Sequence, residues 1–146
     1  MQQTERIGAQ LRDASSLPET LDVSFDAFEV IRLLARQSQD RDPGFFATFM
    51  RTADAAVDGR EAITIAPSLP PPSRGAAEVD ALAAHPDLAK VTANVASLAA
   101  LLDGLLTHAA TAATTPGDRA ACEQAASAAR RIHQLMVRSD DNPNLW

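Results

Sequence analysis

Apolar and polar positions alternate along this chain with the period of a helix. The clearest case is the stretch Val91 to Thr115, VTANVASLAALLDGLLTHAATAATT. Leu88, Val91, Val95, Leu98, Leu102, Leu105 and Ala109 recur at spacings of 3, 4, 3, 4, 3 and 4. That is the seam of a helix packed along another helix. TTPGD then breaks the pattern: Thr115 can cap, Pro116 suits the first helical position, and Asp118 favours the positive end of the helix dipole. The next run places Ala121, Ala125, Ala128, Ile132 and Leu135 on one face. So short a connection predicts an antiparallel hairpin of residues 87–113 and 116–138. Folding it about ATTPG brings His108 near Ala121 or Cys122.

The same reading applies upstream. Residues 4–13 predict a short helix, and SSLPETLD reads as a loop. Ser24 is the expected N-cap of a helix running to Ser38, with Ala27, Phe28, Val30, Ile31, Leu34 and Ala35 as its apolar face. Glu29, Arg32 and Arg36 fall opposite, beside Phe25. DRDPGFF restarts the helix, with Asp42 as cap and Pro43 in the first turn. Phe46, Phe49, Met50, Ala53 and Val57 are expected to share the buried face, and Gly59 to end the helix. A short helix is expected before His85.

PSLPPPSRG cannot be regular helix and reads as a stiff connector. It divides a single all-α domain into a Phe-rich helical part (1–66), the connector (67–75), a helical hairpin part (76–138) and a tail (139–146). All five Phe precede the connector. They read as core between the second and third helices, with a pocket wall as the alternative. The expected architecture is a compact helical bundle of four to six helices with a long antiparallel C-terminal hairpin.

Composition narrows the functional classes. The chain has 146 residues, a net charge of -6 and a single cysteine, Cys122, so no internal disulfide can form. The acidic balance argues against nucleic acid and against an anionic membrane surface as partners. The N-terminus lacks a positive start followed by an apolar run, so the cytoplasm is the default expectation. Thirty residues are Ala, and Lys90 is the one lysine among thirteen basic residues. GC-rich codons, as in high-GC bacteria, give this bias, and Ala raises helix preference throughout.

The long Leu-rich helix raises a further question. Its face opposite the seam reads Ala93, Ser97, Ala100, Gly104, Thr107 and Thr111, spaced 4, 3, 4, 3 and 4. A helix with one solvent face is expected to carry charges there. This one predicts cover on two sides, by the Phe-rich helices of the same chain or by a second copy. A membrane span is disfavoured because Asp103 would lie near its middle.

Candidate chemistry is sparse. Asp103 is the one ionised group of the long helix between Val91 and Thr115, and a buried carboxylate is a route to a functional acid. His108 beside Cys122 would be the minimal arrangement for an activated thiol, although no third group orients it. The structural alternatives are a surface Asp, an exposed His and a small buried Cys. Arg32 and Arg36, one turn apart, could grip an acidic ligand, with Phe46 and Phe49 walling an apolar pocket against the long helix. Solvated surface is the alternative for the arginines. His85, His108 and His133 lie on different helices or helix ends and show no ligand spacing, so no metal site is expected. No motif implies a cofactor. Two functional classes follow. One is a protein-interaction or regulatory module whose partner is another protein or itself. The other is a small cofactor-independent enzyme or binder of a small apolar or acidic molecule.

Overall fold

The computed structural model of the chain describes residues 2–71 and 87–141, with side chains for 3–71 and 87–138. They form α1 (Gln2–Asp13), α2 (Leu17–Ser38), a 3₁₀ turn (Pro43–Phe45), α3 (Phe46–Thr64), α4 (Leu88–Ala112) and α5 (Pro116–Asp141). The all-α bundle and its antiparallel α4/α5 hairpin are as the periodicity predicts. The helix expected before His85 lies outside the described residues.

Helix α2 starts a full two turns earlier than expected. Ser16 is its N-cap: its hydroxyl accepts from the Glu19 backbone N–H at 3.3 Å, and the Glu19 carboxylate accepts from the Ser15 N–H at 3.1 Å. Pro18 sits in the first turn, where a missing N–H costs nothing. Ser24, read from sequence as the cap, is instead fully buried mid-helix, and its Oγ has no hydrogen-bond partner. The six apolar residues assigned to the α2 face are all buried.

In α3 the restart is as expected at Asp42, whose Oδ1 accepts from Gly44 N–H at 2.9 Å, but a 3₁₀ turn intervenes before the helix proper. The buried face is rotated from the predicted one. Phe49 and Ala53 are buried, whereas Phe46 and Met50 are exposed. Nor does Gly59 end the helix, which continues to Thr64. A Cβ built on Gly59 would stand 2.4 Å from Cε1 of the fully buried Phe28 ring. Gly59 is therefore the floor on which Phe28 lies, and α2 and α3 approach closely because it has no side chain.

The helices close into a ring. In the order α1, α2, α3, α5, α4, each touches the next and α4 returns to α1; α2 also meets α4 across the middle. Both halves of the chain thus share one core, which runs from Ile7 and Leu11 through Phe28 and Phe49 to Leu102, Ile132 and Met136. Helix α5 fits between α4 and α3 because the side chains it buries there are mostly Ala, which permit short interaxial distances. The hairpin turn is tied on both sides. Thr115 Oγ accepts from Asp118 N–H at 3.2 Å, and the Arg119 guanidinium donates to the Ala113 carbonyl at 3.1 Å.

The connector is anchored where it leaves α3. The Asp118 carboxylate accepts from both the Ser68 backbone N–H (2.9 Å) and the Ser68 hydroxyl (2.6 Å). Leu69 packs on the core. Pro67 comes so near Gly117 that a Cβ there would stand 3.0 Å from its ring.

Candidate functional site

Helix α4 packs on α5 and buries Val91, Val95, Leu98, Leu102 and Ala109 of the predicted seam; Leu88 and Leu105 are half-buried, and Leu106 is buried in their place. Across the hairpin the Arg130 guanidinium reaches the Asp103 carboxylate. The opposite flank is another matter. Ala93, Ser97, Ala100, Gly104, Thr107 and Thr111 are all exposed. Gly104 has open space where a Cβ would point, with no atom within 4 Å. Cover of this flank by the chain's own Phe-rich helices is therefore not what the fold provides. Helices α1, α3 and α4 pack instead around α2, in which no residue from Thr20 to Ala35 is fully exposed. The enclosed helix is α2; α4 meets α5, α2 and α1 and leaves the Ala93–Thr111 flank uncovered. The core-like composition of α4 speaks for burial but not for which element supplies it.

The α4 flank carries little charge. Lys90 and His108 stand at its edges, and Asp103 is neutralised across the hairpin by Arg130 (2.9 and 3.3 Å) while accepting from the Thr107 hydroxyl at 3.2 Å. Asp103 is thus a half-exposed member of a surface ion pair, which makes it a register pin for the hairpin. By length and composition α4 is apolar enough to cross a membrane, with a mean hydropathy of 1.4 in its most apolar window. Its packing against α5, α2 and α1 accounts for the apolar seam.

The remaining sequence candidates do not converge. His108 is exposed, and its carbonyl accepts from the Thr111 hydroxyl at 2.7 Å. Cys122 is fully buried, and no hydrogen bond joins it to His108 among the described residues. Burial, with Asp118 and Glu123 adding repulsion, pushes the Cys122 thiol above its ordinary pKa. That is the opposite of what an activated thiolate needs. Arg32 is bound to Glu29 on its own helix at 3.0 Å, and Arg60 of α3 reaches the same carboxylate. Arg36 is exposed. Phe46 is exposed, while Phe49 is in the core, its ring tilted at 40° to that of the half-buried Phe45 with centroids 6.1 Å apart. Arg32, Arg36, Phe46 and Phe49 therefore share no single cleft. Among the described residues, no three His, Cys, Asp or Glu side chains cluster to hold a metal ion. His85 lies outside the described residues.

Two carboxyl groups are shifted in ways the sequence does not show: Asp118, read there only as a helix-dipole charge, and Asp26. Asp118, already described, is held by its hydrogen bonds below the ordinary carboxylate range. Asp26 behaves in the opposite way. It lies half-buried on the outer row of α2 with Asp22 and Glu29 one turn to either side. Burial first, then the charges of Asp22 and Glu29, push its pKa up to about 6. The i, i+4 and i+3 spacing of Asp22, Asp26 and Glu29 was visible. What the sequence did not disclose is that this side of α2 is half-covered and that Glu29 alone of the three is neutralised by arginine.

The Asp26 carboxyl yields a pH prediction. A raised folded-state pKa means that the folded chain holds this proton more tightly than the unfolded one. Its stability contribution is fully present below 3.8 and is lost as pH rises through about 6. Asp26→Asn mimics the protonated form and should be more stable than wild type at pH 7.5. Allowing for solvent screening at a partly exposed group, about 1 to 2 kcal/mol is expected. Urea unfolding of both proteins at pH 7.5 and pH 4.5 checks it: the gap should shrink to about a third at the lower pH, because 4.5 still lies above the unfolded-state value of 3.8, and a pH-independent gap would refute the assignment.

Comparison with known proteins adds nothing to this geometry, since no family model, curated protein or solved structure matches the chain.

Proposed function

We propose that the protein is a self-associating interaction module in which two copies meet along the exposed flank of α4. The observation that carries this reading is the composition of that flank: six exposed residues, all Ala, Ser, Gly or Thr, on a helix whose other side is core. Three physical points support it. Small residues let a second helix come close, so backbone and Cβ atoms on both sides lose water together. The spacing 4, 3, 4, 3, 4 reads the same in both directions, which suits the two-fold symmetry of an isologous antiparallel pair. The chain carries a net charge of -6, and a flank free of unpaired acids is where two like-charged copies repel least.

The test is the oligomeric state of the wild type and of Ala100→Glu. Ala100 is exposed at the middle of the flank, so the single chain accommodates a carboxylate there. In a pair, two carboxylates would be buried beside one another at the symmetry axis, which costs several kcal/mol. Light scattering after gel filtration should give a dimer for wild type at about 10 to 100 μM and a monomer for Ala100→Glu, a loss of about a hundredfold or more in affinity. A wild type that is monomeric throughout that range would sink the reading.

A further inference from the structure

A cleft of about 340 Å³ opens between α3 and α5, and it includes no residue of α4. Its floor is apolar, made by Ala55 and Leu135. Three guanidinium groups converge on it: Arg51 from α3, and Arg131 and Arg138 from α5. In a chain with six excess negative charges this is a local concentration of positive charge. Two carboxylates, Asp54 and Asp58, also line it. They do not satisfy the arginines. Arg131 pairs with Asp58 at 3.2 Å, whereas Arg51, Arg138 and Asp54 make no ion pair or hydrogen bond among the described residues. Arg51 and Arg138 thus present their N–H donors unpaired at the cleft, beside its apolar floor.

The helices explain why they stay apart. Asp54 and Asp58 are one turn apart on α3, and Arg131 and Arg138 two turns apart on α5. The two helices run antiparallel, so Asp58 meets Arg131 at one end, and the other arginines open around the cleft. Guanidinium forks match the planar face of an oxyanion and bind it through paired N–H donors. The geometry points to a binding site for the oxyanion head of a small molecule, a carboxylate or a phosphate, held between Arg51 and Arg138 with its apolar part over Ala55 and Leu135. A volume of about 340 Å³ fits a small metabolite-sized ligand and lies at the lower end of the range for such pockets. The site differs from the pocket expected beside the Phe cluster, and it is independent of self-association.

Titration of ¹⁵N-labelled protein with inorganic phosphate, and separately with acetate, tests this at constant ionic strength. Saturable amide shifts confined to residues 51–58 and 131–138 are expected with at least one anion; which one saturates identifies the head group. The double variant Arg51→Gln/Arg138→Gln should bind at least about tenfold more weakly at unchanged melting temperature, since it removes two charge-assisted contacts. Asp54→Asn should bind more tightly, because it removes a repelling carboxylate without adding a donor charge. Linear, unsaturated drift with both anions would overturn the proposal. So would saturation that survives in the double variant, or an Asp54→Asn variant that binds more weakly.

Discussion

Gly59→Ala should destabilise the protein, although on an ordinary exposed helix the same change stabilises by up to about 1 kcal/mol. The new methyl group would overlap the Phe28 ring, with three ring atoms 2.4 to 2.7 Å from the Cβ position. That ring is fully buried between α2 and α3, and its atoms cannot swing aside as the end of a flexible chain could. Separating the helices or forcing the ring off its rotamer costs typically 1 to 3 kcal/mol and sometimes more. Net destabilisation of about 0.5 to 2 kcal/mol is expected after the propensity gain. Gly104→Ala is the control, since it adds the same methyl group to open space on α4 and should stabilise by about 0.5 to 1 kcal/mol. Phe28→Leu supplies a second check. It frees volume at the contact, so the double variant Gly59→Ala/Phe28→Leu should be less destabilised than the sum of the two singles. Urea denaturation of the four proteins decides the matter. A neutral Gly59→Ala, or strict additivity with Phe28→Leu, would show that the two side chains do not meet as described.

Gly59 also shows what kind of information the linear sequence withheld. Periodicity alone located the α4/α5 hairpin, the Thr115 and Pro116 start of α5 and the buried face of α2, because each depends on residues within a few turns of one another. It went wrong where a local signal was overruled by a distant contact. A glycine near a plausible helix end reads as a stop, and only the Phe28 ring, 31 positions earlier, makes it an interior residue. Ser24 reads as a cap because it precedes an apolar run, yet Ser16-x-x-Glu19 carries the capping-box pattern, and in the fold Ser16 caps Glu19 while Glu19 reaches back to the Ser15 N–H. Phe46 and Met50 have the right period for the α3 core, but the face that α3 buries is chosen by α2 and α5 together. For the candidate sites the limit is similar. Asp103 was singled out for its isolation along α4, and its partner Arg130 follows from the hairpin once the register is set. The cleft lined by Arg51, Asp54 and Arg138 depends on α3 lying beside α5, a pairing that no local pattern encodes.

The largest single-charge effect should come from Asp118, which joins the connector to the hairpin. Its carboxylate is almost wholly buried, at 2 % exposure, and accepts from the Ser68 hydroxyl and the Ser68 backbone N–H. It also sits in the first turn of α5, where the helix dipole favours negative charge. Asp118→Ala leaves both Ser68 donors without their acceptor and removes the dipole contribution. Hydrogen bonds to an ionised group are worth about 1.5 to 3 kcal/mol, so a loss of about 2 to 4 kcal/mol is expected. Asp118→Asn retains one acceptor oxygen and should lose about half as much. The pH dependence has the reverse sign to that of Asp26. The hydrogen bond from the Ser68 hydroxyl, aided by its backbone N–H and by Thr115, holds the Asp118 pKa below its ordinary value of 3.8 despite burial. The folded state therefore binds this proton more weakly than the unfolded state. The contribution is fully present above pH 4 to 5, and it drains away as the pH falls through 3.8 towards the lower folded-state value. Unfolding of wild type and Asp118→Asn at pH 7, 5 and 3 should show a constant gap between the first two and a smaller one at the third. Ser68→Ala removes the hydroxyl donor alone, and in that background the carboxyl should titrate closer to 3.8. A gap between wild type and Asp118→Asn that is unchanged at pH 3 would mean that the carboxylate, and with it the anchoring of the connector, contributes nothing through its charge.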